Sequence, residues 1–173
     1  MKMLSIVLAV VLICAVGMLY YFGVFNAVKM EKIKTGPYFV ACLDHIGPYK
    51  NIGKKFDAAK QILNDQAIIP VTACGIYYDD PKSTPSDKLR SKAGFILDGD
   101  VKVNLLEKIT IEEREVISAK IKASPMVAPF KVYPAITKWA KSNNCDIMGP
   151  SIEIYGKGGI IEVQMPIAEK VKK

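Results

Sequence analysis

A chain of 173 residues, half of them apolar, has room for one domain of ordinary size once any membrane segment is set aside. Its formal charge of +7 comes from lysines scattered along the sequence, with no block of five basic residues and no RNA-binding motif, which favours a solvated face near anionic lipid over nucleic-acid binding. Its four cysteines contain no C-x-x-C pair, and no set of ligands has zinc-like spacing, so no metal is expected.

Residues 3–25 form an apolar run broken only by Ser5, long enough to cross a hydrocarbon core that needs about 20 helical residues. Every backbone amide in hydrocarbon must be paired within its own segment, so such a run becomes a helix, with Tyr20, Tyr21 and Phe22 suited to the interface. A cleaved signal peptide would have a shorter core and a small-x-small cleavage site; neither is visible, and bulky Leu12 and Ile13 precede Cys14 where a lipoprotein site wants small residues. The expectation is a single-pass anchor over residues 1–28 and a short linker over 29–35. Lys2 stands on one side of the anchor and Lys29, Lys32 and Lys34, diluted by Glu31, on the other, a balance that slightly favours a cytoplasmic domain. Cys42, Cys74 and Cys145, an odd number outside the anchor, fit reduced, buried thiols on that side.

From Pro37 to Ile46 the residues are extended and apolar, and Gly47-Pro48 opens a helix. Ile52, Phe56, Ala59 and Leu63 recur at helical spacing with Lys54, Lys55, Asp57, Lys60 and Asp65 between them, predicting an amphipathic helix to about Gln66. Two strands follow, Val71 to Asp79 and Leu89 to Asp98, around a loop rich in Pro and Ser. After a connector from Gly99 to Glu113 the order strand, helix, strand, strand returns. Val116 to Ala123 alternates, Pro129-Phe130-Lys131 echoes Pro48-Tyr49-Lys50 and opens a helix with Ile136, Trp139 and Ala140 on one side, and Ser151 to Tyr155 and Gly159 to Pro166 form a hairpin around Gly156-Lys157-Gly158.

The predicted fold is α+β: duplicated strand-helix-strand-strand modules joined in one antiparallel sheet, both helices on one face, preceded by a transmembrane helix. Strict alternation in the strand from Ser151 to Tyr155 is read with Ile152 and Ile154 toward the helices and Ser151, Glu153 and Tyr155 on an open face, where Tyr77 and Asp79 of the matching strand join them. Ile161, Val163 and Met165 are assigned to the helix layer.

These residues resemble a known superfamily. Gly47-Pro48-Tyr49, the segment from Gly75 to Pro81, the run from Leu89 to Gly94, Glu153-Ile154-Tyr155 and Met165-Pro166-Ile167 are similar to GyrI-like domains, which include gyrase-inhibitor proteins and effector domains of multidrug-sensing regulators and share their fold with SOUL haem-binding proteins. The resemblance covers about residues 36–168, leaving a basic tail at 169–173. An anchor followed at once by such a domain is also similar in layout to a testis-expressed ER-phagy receptor of animals, although no long tail follows Val171-Lys172-Lys173. The resemblance implies a cleft between the modules in which the acid of the Glu-Ile-Tyr strand, Glu153 here, meets lipophilic cations, with Tyr77 and Tyr155 as stacking aromatics. It also implies that the same cleft could hydrolyse strained, cyclopropane-containing electrophiles.

Each candidate has a plainer reading. Glu153 could be an ordinary exposed sheet carboxylate, Tyr77 and Tyr155 cross-strand packing, Trp139 a core residue on the stripe with Ile136, and Asp79-Asp80-Pro81 a strand end that Arg90 could pair. Tyr78 is read as core. The lone His45 is read as structural, with haem ligation set aside, and no cofactor is expected. The reading is a membrane-tethered domain that binds an amphipathic or cationic small molecule through Glu153, Tyr77, Tyr155, Asp79, Ser151 and Trp139. The alternatives are a hydrolase with Glu153 as general acid or base, assisted by Tyr77 or Tyr155, and a scaffold for a protein partner.

Overall fold

The computed structural model describes residues 2–170, so Val171-Lys172-Lys173 of the expected basic tail lie outside the described residues. Helix α1 (Lys2–Tyr21) includes an apolar stretch, Met3–Tyr21, long enough to cross a membrane and uncovered by the rest of the chain. It stops short of the expected Phe25 because Gly23, at φ 77°, turns the backbone. There follow β1 (Lys29–Thr35), β2 (Tyr38–Ile46), α2 (Gly53–Asp65), β3 (Thr72–Tyr77), β4 (Arg90–Leu97), β5 (Glu107–Ile111), β6 (Arg114–Lys122), α3 (Ala128–Ser142), β7 (Cys145–Ile147), β8 (Ser151–Tyr155) and β9 (Ile160–Glu169).

The sheet is antiparallel, in the order β1-β6-β9-β8-β3-β4-β2-β5, with β7 pairing β9. Each module forms a compact half, β6-β9-β8 and β3-β4-β2, and the halves meet where β8 pairs β3. The middle pair of that seam is Gly75 opposite Glu153; the flanking pairs are Ala73 with Tyr155 and Tyr77 with Ser151. A twofold through the seam therefore exchanges Tyr77 with Tyr155 and Gly75 with Glu153.

Both helices cover one face. Val132 and Ile136 of α3 bury against Ile117, Ala119, Ile121, Ile161 and Val163, while Ala59 and Leu63 of α2 bury against Ala41, Phe95 and Leu97. The other face is buried too: Val40, Cys42, Cys74, Ile76, Ile96 and Ile152 pack there without any helix. The sheet curls to enclose them, since Gln164 Nε2 of β9 donates to the Tyr38 hydroxyl of β2 (3.1 Å) although β8, β3 and β4 separate the two strands.

That curl corrects the facing assigned to β8. Glu153 pairs with Val163, and directly paired residues point to the same face, so Ser151, Glu153 and Tyr155 lie on the helix side while Ile152 joins the inner cluster. Both faces are apolar, so isoleucines no longer mark the helix side. The expected linker at 29–35 is also corrected: it is edge strand β1, paired with β6. Its lysines, Lys32 bridging Glu115 (3.3 Å) and Lys34 bridging Glu113, give it the charged look of an edge that resists further pairing. The connector at 99–113 contains β5, which completes the opposite edge.

Gly94 lies between Cys42 and Cys74 in the paired strands, and a Cβ there would stand 2.6 Å from both the Cys42 Cβ and the Ala41 carbonyl. Gly94→Ala should therefore destabilise the domain by about 1–3 kcal/mol, as overpacked cores do. Cys42→Ala should not rescue it, because the Ala41 carbonyl is equally close; chemical denaturation of the two variants checks both statements.

Candidate functional site

Pleating and register bring three side chains of the central strands to one spot on the helix face: Tyr77 from β3, and Glu153 and Tyr155 from β8. Gly75, the twofold counterpart of Glu153, makes the space. The Tyr77 ring lies over it so closely that a Cβ at Gly75 would come within 2.7 Å of the ring and 2.8 Å of its hydroxyl. Helix α3 adds Tyr133, one residue past the buried Val132 and so on the flank of the α3 stripe.

The cluster is a hydrogen-bonded relay that ends on the carboxyl group. Tyr133 donates to Glu153 Oε1 (2.7 Å) and Tyr155 to Oε2 (3.0 Å). Each phenol has one proton, so Tyr77, 2.8 Å from the Tyr155 oxygen, donates to it, and Ser151, 3.0 Å from the Tyr133 oxygen, donates there. Two further rings support the phenols edge to face: Tyr49 against Tyr77 at 4.9 Å and Phe56 of α2 against Tyr155 at 5.6 Å.

Glu153 is only 7% exposed, and no lysine, arginine or histidine among the described residues pairs with it. Burial pushes its pKa above the ordinary carboxylate range, and the Tyr133 and Tyr155 hydroxyls offset that only in part. Burial, with Glu153 close by, also raises Tyr77, Tyr133 and Tyr155, so all three phenols stay neutral donors at physiological pH. A buried carboxyl held by neutral donors alone can stay protonated, take up a cation, or pass its proton to a bound molecule.

Of the expected site residues, the structure gathers Glu153, Tyr77, Tyr155 and Ser151, and separates Asp79 and Trp139 from them. Asp79 caps the end of β3, accepting from Arg90 N (2.7 Å), Nε (3.0 Å) and Nη2 (2.8 Å), and these bonds hold it below the usual carboxylate range. Arg90 fully occupies it. Trp139 packs against the core on the opposite flank of the buried α3 stripe from Tyr133, lining a concavity of about 310 Å³ with Met30, Lys138 and Asn143. His45, buried, has Nε2 3.2 Å from the Pro48 carbonyl, a local structural contact. Tyr78, expected in the core, is exposed and lies under the Arg90 guanidinium, 5.9 Å from its centroid. No group of three His, Cys, Asp or Glu residues among those described could hold a metal.

Sequence reasoning missed Tyr133, Tyr49, Phe56 and the role of Gly75. Tyr49 was legible as part of Gly47-Pro48-Tyr49 but not its place: its hydroxyl donates to the Asp79 carbonyl (2.9 Å) and accepts from the Asp79 amide (3.1 Å), which aims the ring at Tyr77.

The GyrI-like small molecule binding domain profile matches residues 29–167, starting at β1. No curated protein sequence matches significantly. Among solved structures, the chain is similar to the C-terminal domain of EcmrR at TM-score 0.64 and 13% identity, covering 84% of this chain and 99% of that one. It is similar to a hydrolase from Listeria innocua at TM-score 0.56 and 10% identity, covering 83% and 93%. It is also similar to SAV2435 bound to tetraphenylphosphonium, at TM-score 0.54 and 11% identity, covering 81% and 94%.

The raised pKa of Glu153 has a stability signature. The folded chain holds this proton more tightly than the unfolded one, so Glu153 contributes no penalty below the ordinary carboxylate range and costs stability as pH rises from there through its raised pKa. Glu153→Gln should match the wild-type melting temperature at acid pH and exceed it by a margin that widens toward neutrality. A margin that does not change with pH would show the carboxyl to be unperturbed.

Proposed function

This chain belongs to the GyrI-like small molecule binding domain family, and from that premise we propose that it takes an amphipathic cation between α2 and α3 with Glu153 as the counter-charge. One observation carries the reading: a buried carboxyl ringed by phenols and lacking any cationic partner among the described residues. Such a group is costly to keep ionised without compensation, and a cation that brings its own positive charge and an apolar shell removes that cost. Tyr77, Tyr133 and Tyr155 supply ring faces worth about 0.5–2 kcal/mol each to a desolvated cation. The ligand enters as the rings part and the Tyr133 and Tyr155 hydroxyls release the carboxyl.

The tether fits the ligand. In this reading α1 is a single-pass anchor that holds the domain at the cytoplasmic surface, where lipophilic cations concentrate. The free thiols of Cys42, Cys74 and Cys145 agree with a reducing compartment. Tetraphenylphosphonium, the molecule bound to SAV2435, is the chemistry expected here: one delocalised positive charge inside an aromatic shell.

A second reading uses the same atoms. A carboxyl whose pKa is raised by burial holds its proton more tightly than an exposed one and can deliver it as a general acid, and the Tyr77–Tyr155 relay could resupply it. The substrate would then be a strained electrophile such as a cyclopropane-bearing compound, opened by water. Product formation that Glu153→Gln abolishes would support this reading.

Titrating the full chain in detergent with tetraphenylphosphonium tests the binding reading. Glu153→Gln should weaken affinity about tenfold or more, equivalent to about 1.4 kcal/mol, while Trp139→Ala leaves it unchanged. Equal affinity for wild type and Glu153→Gln would remove the charge from the account.

A further inference from the structure

We propose that the rim of the domain around the exit of α1 is a docking surface for an anionic lipid bilayer, holding the domain in one fixed pose. The proposal rests on the reading of α1 as a membrane anchor.

The backbone after α1 is pinned. The Ser124 amide donates to the Phe22 carbonyl (3.1 Å), Asn26 Nδ2 donates to the Lys122 carbonyl (2.6 Å), and Lys131 Nζ, from the first turn of α3, donates to the carbonyls of both Val24 and Asn26. Gly23 is wedged into this joint: a Cβ on it would lie 2.7 Å from Ala123 Cα, and its φ of 77° disfavours any other residue. The connection between β6 and α3 is thereby fixed beside the end of α1, so its side chains sit at headgroup depth when α1 spans a bilayer.

Those side chains suit such a depth. Met126 is 80% exposed and Phe130 82%, and Phe25, between the two carbonyls that Lys131 binds, is exposed as well. Ile160, paired with Lys122 across β6 and β9, adds to the surface. The rim runs on through Thr72, whose Oγ1 donates to the Tyr155 carbonyl (2.8 Å), to the exposed Val71 and Ile69. Charge points the same way: residues 20–30, 121–131 and 155–161 contain no aspartate or glutamate, and Lys29, Lys122 and Lys157 are exposed on them. Large exposed apolar side chains mixed with lysine, continuous with a spanning helix, match a bilayer interface, with aromatics and methionine at the acyl boundary and ammonium groups among anionic headgroups.

Depth is measurable in the full chain. Phe130→Trp combined with Trp139→Phe leaves one indole on the rim; Ile46→Trp combined with Trp139→Phe leaves one at the exposed far end of β2 as the comparison. In vesicles of phosphatidylcholine and phosphatidylserine, acyl-brominated lipid should quench the indole at position 130 several-fold more than the one at position 46. Equal, weak quenching of both, in chains that stay with the vesicles through an alkaline carbonate wash, would overturn docking while the anchor stands. Chains that wash off would overturn the anchor reading and docking together.

Discussion

A carboxyl group buried without a counter-ion, at the seam where two copies of one module meet, sets the terms for everything around it. Glu153 cannot be solvated there, and no Lys, Arg or His among the described residues neutralises it, so neutral donors must hold it. Tyr133 and Tyr155 do so directly, and Tyr77 and Ser151 act one bond further out. Such a network is stable only when every member is satisfied, because the low dielectric that strengthens each bond also magnifies the loss of any one.

The duplication explains how this is built cheaply. Twofold pairing gives two tyrosines in equivalent positions, Tyr77 and Tyr155, and breaks the symmetry at the centre, where one module presents glycine and the other glutamate. Two carboxyls at that spacing would repel, and two glycines would leave the tyrosines nothing to bind. The Gly75 and Glu153 pair gives one charge, with room for an aromatic ring beside it. Helix α3 then supplies from above the donor that the strands cannot, and α2 supplies the Phe56 edge that fixes Tyr155.

Much of this was readable before any coordinates. The module order, the boundaries of α2, α3 and β8, and the gathering of Glu153, Tyr77 and Tyr155 on one face follow from periodicity and the GyrI-like resemblance. Three things did not. Alternation fixes the phase of a strand but not which face is which, and the curled sheet buries Ile152 on its inner face, so β8 was turned the wrong way round. Edge strand β1 mixes three lysines and Glu31 with half-buried Met30 and Ile33, which are three residues apart and so on opposite faces; with no period-two pattern, the segment also reads as a linker. Tyr133 meets Glu153 only because α3, packed over β6, brings its hydroxyl within reach of β8, a tertiary relation that no local spacing encodes; Asp79, by contrast, sits at a legible strand end where Arg90 claims it.

The central claim is that Glu153 stands ready for a positive charge. The most direct measurement follows its carboxyl resonance by 13C NMR across a pH titration, with and without saturating tetraphenylphosphonium. The account predicts a pKa above the ordinary carboxylate range in the free protein that falls when the cation binds, with protons released in proportion. A carboxyl that titrates at its ordinary value, or one whose pKa is indifferent to the cation, would contradict it.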